Sequence, residues 1–222
     1  MYSGNNVYSV KYAGNNVYLV RMAVLLGEWD VKSESDCETI SDKRVCSPPT
    51  VLKRIARVLI HPQYDHRSRT SDIALVRLRS PVPFTDAVKP ICLPGQGTVH
   101  VETSEGINAT VAGWGGDGET VDPWALRSAD SRILTHVELP LWSEDKCTRP
   151  THFCAGGVKG VDSCSGDSGG PLLLAGKVHD EKRAVLIGVV SYGDIFCGNA
   201  LIPSYYTRVE IFMPWIASNL AP

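Results

Sequence analysis

No stretch of the 222-residue sequence approaches the ~20 consecutive apolar residues that span a bilayer, which argues against a membrane-crossing helix. Charge of one sign is also lacking: 22 Lys and Arg face 24 Asp and Glu, for a net charge of −2. Without a basic stripe, neither nucleic acid nor an anionic membrane is expected as a partner. Glu181-Lys182-Arg183 is too short and too mixed to change that, and reads as a solvated loop. None of the 7 cysteines stands in a Cys-x-x-Cys pair and no histidines stand at ligand spacing, so no structural metal and no cofactor is expected. Polar Asn-Asn pairs break the apolar runs before Tyr18, so no secretory leader is read there. Any export signal is expected outside this chain.

What is present is β texture. Short Val-, Ile- and Leu-rich runs alternate with Gly, Pro, Asp and Ser clusters at Ala23–Trp29, Val51–Ile60, Ile73–Leu78, Ile107–Trp114, Arg132–Leu139, Pro171–Leu174, Ala184–Tyr192 and Tyr205–Val209. Each is expected to be a strand. Only Ile211–Leu220 carries helical spacing, with Phe212, Trp215, Ile216 and Leu220 on one face and Pro214 in the first turn. Pro90-Ile91-Cys92-Leu93-Pro94 reads as an extended connector between two lobes. Tyr2-Ser3-Gly4-Asn5-Asn6-Val7-Tyr8 recurs nearly unchanged at Tyr12–Tyr18, with Gly-Asn-Asn expected as a turn between short strands. Two copies are too few for a solenoid, which needs at least about three. Three segments follow: an atypical repeat-bearing 1–22, a first lobe and connector 23–94, and a second lobe with the helix, 95–222.

The chemistry concentrates in Asp162-Ser163-Cys164-Ser165-Gly166-Asp167-Ser168-Gly169-Gly170-Pro171. A serine hydroxyl is a poor nucleophile until a base takes its proton and backbone donors await the oxyanion. Glycines around Ser168 allow the tight turn that brings such donors together. This run resembles the nucleophile loop of the chymotrypsin/trypsin serine proteases. The resemblance continues in order through Ser71-Asp72-Ile73-Ala74-Leu75, Val111-Ala112-Gly113-Trp114-Gly115, Phe153-Cys154-Ala155-Gly156, Ser191-Tyr192-Gly193 and Tyr205-Tyr206-Thr207-Arg208-Val209. Leu26-Gly27-Glu28-Trp29-Asp30, the Cys37…Cys46 loop and Ile60-His61-Pro62-Gln63-Tyr64-Asp65 are most similar to the clip-domain proteases of extracellular arthropod cascades.

That resemblance implies an all-β fold of two packed six-stranded antiparallel Greek-key barrels, the first one incomplete, with a C-terminal helix. It implies a secreted endopeptidase acting on protein or peptide substrates and met by serpin-type inhibitors. Ser168 would be the nucleophile, Asp72 the orienting carboxylate, and the Gly166 and Ser168 N–H groups the oxyanion hole, roles borrowed from the family's known triad. Asp162 would floor a Lys/Arg pocket, Ser191-Tyr192-Gly193 would pair with substrate backbone, Gly193 would keep the pocket mouth open, and Ser204, where the family has glycine, would intrude on the pocket. Disulfides Cys37–Cys46, Cys147–Cys154 and Cys164–Cys197 are implied, leaving Cys92 to tether a pro-segment or clip domain. Asn108-Ala109-Thr110 fits the N-glycosylation pattern. No calcium-ligand pattern is found around Glu28.

One element of the pattern is missing. The family's Ala-Ala-His-Cys segment does not occur, and the first of the six histidines is His61. By resemblance His61 is expected on a surface loop, His66 on the wrong side of the Leu26–Asp30 strand, and His100, His136, His152 and His179 as solvated residues. An Ile-Val-Gly-Gly-like mature N-terminus is also absent, so Asp167 is expected to lack its partner. The chain is therefore expected to be inactive as written, as a partial gene product or as a non-catalytic homologue. Loss of the base from such a triad costs on the order of 10⁶ in turnover.

Overall fold

The structure is a computed structural model, described for residues 7–9, 23–95, 99–122, 127–178, 181–194 and 196–220. The second copy of the repeat, its Gly-Asn-Asn turns and His179 lie outside these residues. The strands are β1 (Val7–Ser9), β2 (Ala23–Leu26), β3 (Cys37–Ile40), β4 (Lys43–Cys46), β5 (Val51–Ile60), β6 (Ala74–Leu78), β7 (Val99–His100) and β8 (Asn108–Gly113). They continue as β9 (Gly116–Asp122), β10 (Arg127–Asp130), β11 (Thr135–Pro140), β12 (His152–Gly156), β13 (Pro171–Val178), β14 (Glu181–Tyr192) and β15 (Pro203–Arg208). A 3₁₀ turn, Val209–Phe212, leads into the helix α1, Met213–Leu220.

The second lobe forms a six-strand path, β11-β8-β13-β14-β15-β12, with β7 added on β13. The path closes on itself where Leu141 bridges Ala155 and the Trp142 N–H donates to the Cys154 carbonyl at 2.9 Å. Closure removes the exposed edges of the sheet. Its interior is filled by Ala109, Val111, Leu139, Leu141, Phe153, Ala155, Leu172, Leu174, Val185, Ile187, Val190 and Tyr206.

The first lobe is a four-strand sheet, β1-β6-β5-β2. Its buried cluster holds only Val76, Leu78, Val82 and Val88, flanked by half-buried Val24, Leu26, Ile55 and Val58. Strands β2 and β5 keep the period-2 alternation of a half-buried strand, but their inward residues reach only partial burial. Two sheets of unequal depth, one curled into a barrel and one open, are thus the all-β architecture expected, with the first barrel incomplete. Ile73 and Leu75 join Val189, Val209, Phe212, Met213 and Ile216 in a third cluster, where β6, β14 and the tail helix meet.

Several strand limits differ from expectation for local reasons. The strand expected from Arg132 begins at Thr135, because the Ser131 Oγ bonds the Ile133 carbonyl at 2.6 Å and turns the chain. Arg132 itself reaches back to form a bidentate ion pair with Asp30. The helix is shorter than its apolar spacing suggests, since Val209–Phe212 tightens into a 3₁₀ turn before Pro214.

Candidate active site

The nucleophile loop follows Asp162 and is tied down at both ends. The Asp167 N–H donates to the Cys164 carbonyl at 3.0 Å, and the Gly170 N–H to the Asp167 carbonyl at 2.7 Å. Gly166 and Gly169 take φ of 101° and 85°, conformations that an L side chain rarely adopts. Ser168 and Gly166 are exposed at the tip of this turn. The Gly169 N–H then donates to the Val190 carbonyl at 3.0 Å, and the Val190 N–H to the Gly170 carbonyl at 2.9 Å.

The next residue of β14 carries the link to Asp72. The Ser191 Oγ donates to the Asp72 Oδ2 at 2.6 Å, and the Thr207 Oγ1 to the Asp72 carbonyl at 2.8 Å. Asp72 is buried at 4% exposure. The nucleophile loop and Asp72, 96 positions apart in sequence (168 − 72), are therefore anchored to consecutive residues of one strand. Arg69 and Ser71 take φ of 58° and 51°, a strained turn that aims Asp72 inward. Among the described residues no histidine hydrogen-bonds to the Asp72 carboxylate.

Asp162 is half-buried, and it accepts from the Ser163 N–H at 2.8 Å and the Gly198 N–H at 3.5 Å. Burial raises its pKa, although hydrogen bonds from Ser204, Ser163 and Gly198 pull the other way. Ser204 is itself buried at 2% exposure, and its Oγ lies where any Cβ on Gly193 would be. The serine thus fills the space between Gly193 and the Asp162 carboxylate. A cavity of about 130 Å³ opens beside it, lined among others by Val111, His136, Asp162, Asp167 and Gly198.

Asp167, expected to lack an N-terminal amine as partner, is held by backbone donors instead. Its carboxylate accepts from the Gly115 N–H at 2.8 Å and from the Cys164 N–H at 2.9 Å, so it has two partners inside the fold. A side chain at Gly113 or Gly115 would overlap that carboxylate, which explains the glycines flanking Trp114.

Two histidines also depart from expectation. His61 is buried at 8% exposure, edge-on to Phe212 and Trp215 with ring centroids 5.0 and 4.8 Å away. That burial lowers its pKa. His152 is buried at 3% exposure on β12, edge-on to Tyr192 and Tyr205, and burial lowers its pKa to about 4. Both sit where a strand or loop is covered by aromatic residues distant in sequence, a cover that composition does not announce. His66 and His100 and His136 are exposed.

Disulfides Cys37–Cys46, Cys147–Cys154 and Cys164–Cys197 form, and Cys92 remains a half-buried free thiol beside Val185. Asn108 is exposed at the first position of β8. Thr207 was not singled out from sequence, since its hydroxyl acquires a role only through a contact 135 residues away.

The Trypsin family model matches residues 33–216. The chain belongs to the trypsin family. Melanization protease 1 of Drosophila melanogaster is 39% identical over 210 residues, covering 89% of this chain and 50% of that protein. Phenoloxidase-activating factor 3 of Holotrichia diomphalia is also 39% identical, over 206 residues, covering 89% of this chain and 56% of its own. The crystal structure of the Drosophila Grass clip serine protease of the Toll pathway superposes with a TM-score of 0.71 at 33% identity, over 89% of this chain and 56% of that one. Clip-domain serine proteases are thus among the relatives of this trypsin-family chain. The chain spans about half the length of the curated relatives it matches.

Proposed function

We propose that the chain is the nucleophile-bearing region of a trypsin-like serine endopeptidase that cuts after Lys or Arg in an extracellular proteolytic cascade. The observation that carries this is the anchoring of the Ser168 loop and Asp72 on Val190 and Ser191 of β14, with Asp162 on the same loop. Ser168 attacks the scissile carbonyl, the Gly166 and Ser168 N–H groups receive the oxyanion, and Asp162 holds the basic side chain. The Ser168 proton needs an imidazole oriented by Asp72, which the described residues do not supply. These residues therefore bind substrate without turning it over. Three disulfides, the exposed Asn108 sequon and the named cascade relatives support an extracellular setting, with Cys92 as a tether to a pro-segment and serpin-type inhibitors as partners.

The unmet need at Asp72 equally favours a second reading, a non-catalytic homologue that keeps the fold as a binding partner. Transcript sequence upstream of the Ala23 codon separates the two: an encoded Ala-Ala-His-Cys run marks the enzyme, and a complete transcript starting at Met1 marks the homologue. The shared claim is tested with p-aminobenzamidine, a fluorescent cation. It is expected to bind, and Asp162→Ala to weaken it by about 3 kcal/mol, on the order of 100-fold. No binding to the native chain overturns Lys/Arg recognition. A fluorophosphonate probe is expected to leave Ser168 unlabelled; labelling that is lost on His66→Ala places a working base within this chain.

A further inference from the structure

The Asn108-Ala109-Thr110 run opens strand β8, and the reaction proposed above makes no use of it. A strand sends successive side chains to opposite faces, so Asn108 and Thr110 share one face and Ala109 takes the other. Ala109 is fully buried in the barrel cluster, as is Val111 two positions on. Asn108 and Thr110 therefore stand on the outer face of the barrel, the first exposed and the second half-buried.

The backbone around Asn108 keeps that side chain accessible. Its ladder partner is Pro140, the last residue of β11, and the pairing ends there. On the other flank the ladder with β13 reaches Val111 and Thr110 and stops short of Asn108. The exposed turn before it is closed by the Ile107 N–H donating to the Ser104 carbonyl at 3.3 Å, with Gly106 at a φ of 83°. Ile107 packs on the barrel cluster and so fixes where the exposed residue begins. At its far end β8 reaches Gly113, which lies against the Asp167 side chain of the nucleophile loop. Five strand residues at ~3.4 Å each place Asn108 about 17 Å from that contact.

We infer that Asn108 carries an N-linked glycan, mounted on the outer face of the barrel at the end of β8 remote from Ser168. This rests on the extracellular setting proposed above, because only a chain on the secretory route meets the donor, a lipid-diphosphate-linked oligosaccharide. In the transfer the Asn108 Nδ2 bonds the anomeric carbon of the first sugar. The bond from that carbon to the diphosphate oxygen breaks, the lipid diphosphate leaves, and one amide proton passes to a base of the transferase. Thr110 supplies the hydroxyl that the acceptor pattern requires. A bulky, hydrated group at this position covers barrel surface and leaves the nucleophile loop open to a peptide.

The test expresses the full chain in insect cells behind a heterologous export leader, which separates the site from the chain's own route of export. Treatment with peptide-N-glycosidase is expected to lower the mass by one glycan and to convert the asparagine at 108 to aspartate in the digested peptide. The shift is expected to vanish in Asn108→Gln and Thr110→Ala and to persist in Thr110→Ser, which keeps the hydroxyl. Secreted and microsomal material are both read, so a variant retained in the cell still reports. Affinity for p-aminobenzamidine is expected to agree within about twofold before and after glycan removal, as for groups far enough apart to act independently. An unmodified Asn108 in the native chain, or a mass shift that survives Asn108→Gln, overturns the site. A larger change in affinity overturns its remoteness from the nucleophile loop. Absence of probe binding in both forms counts against Lys/Arg recognition alone, and the mass shift then decides the glycan by itself.

Discussion

His152 occupies a place where a charged imidazolium has no counterion. Its pKa falls from the ordinary 6.5 to about 4, chiefly through burial and further through Arg149. The unfolded chain then binds the proton more readily than the fold between those values. Stability is full above about pH 6.5 and declines as pH drops toward 4, by as much as about 3 kcal/mol. Thermal midpoints measured from pH 7 to pH 4 are expected to fall steeply for the native chain and distinctly less for His152→Phe. An equal fall in both would place the acid sensitivity elsewhere. Little of this was legible in the sequence: all five residues of β12 are buried, so no alternation marks His152 as an inward residue. Ser168, Asp72 and Asp162 were singled out because each stands in a contiguous motif. Thr207 was not, because the carbonyl its hydroxyl bonds lies 135 residues away.

At the scale of elements, β8 shows how a glycine encodes a contact. Gly113 ends the strand and Gly115 follows Trp114, both packed against the Asp167 side chain. A methyl group at 113 has to displace that carboxylate, since its surroundings include the Asp167 backbone as well. Gly113→Ala is expected to destabilise the chain by about 1–3 kcal/mol, the usual cost of overpacking. Chemical denaturation measures the loss, and a cost within error of zero would show that Asp167 is free to move aside. The strands themselves were mostly visible as apolar runs, β5 to the residue. Strands β7, β9, β10 and β12 and the β3–β4 hairpin were missed as strands: β12 lacks period-2 texture, and the hairpin is polar, exposed and held by Cys37–Cys46.

For the whole molecule, the two sheets differ in how much they bury. The closed barrel encloses a cluster of twelve buried residues, and the open sheet one of four. Local stability follows apolar burial, so amide exchange is expected to be fastest in β2 and β5 and slowest in β13 and β14. Uniform protection across both sheets would instead show one cooperative unit. The seam between them is apolar where Ile73 and Leu75 meet Val189 and the helix, and polar where Asp30 pairs with Arg132, the Trp114 Nε1–H donates to the Trp29 carbonyl at 3.2 Å, and the Leu134 N–H to the same carbonyl at 2.8 Å.

The bonds to Asp72 carry a consequence for synthesis. On a ribosome the open sheet emerges first, with its aspartate already in sequence. Its partners Ser191 and Thr207 follow 119 and 135 residues later. At ~5–20 residues per second, the nascent strand waits many seconds with its carboxylate in water and its apolar face uncovered. During that interval the sheet is a substrate for holding chaperones, and the closed barrel, arriving last, is what releases it.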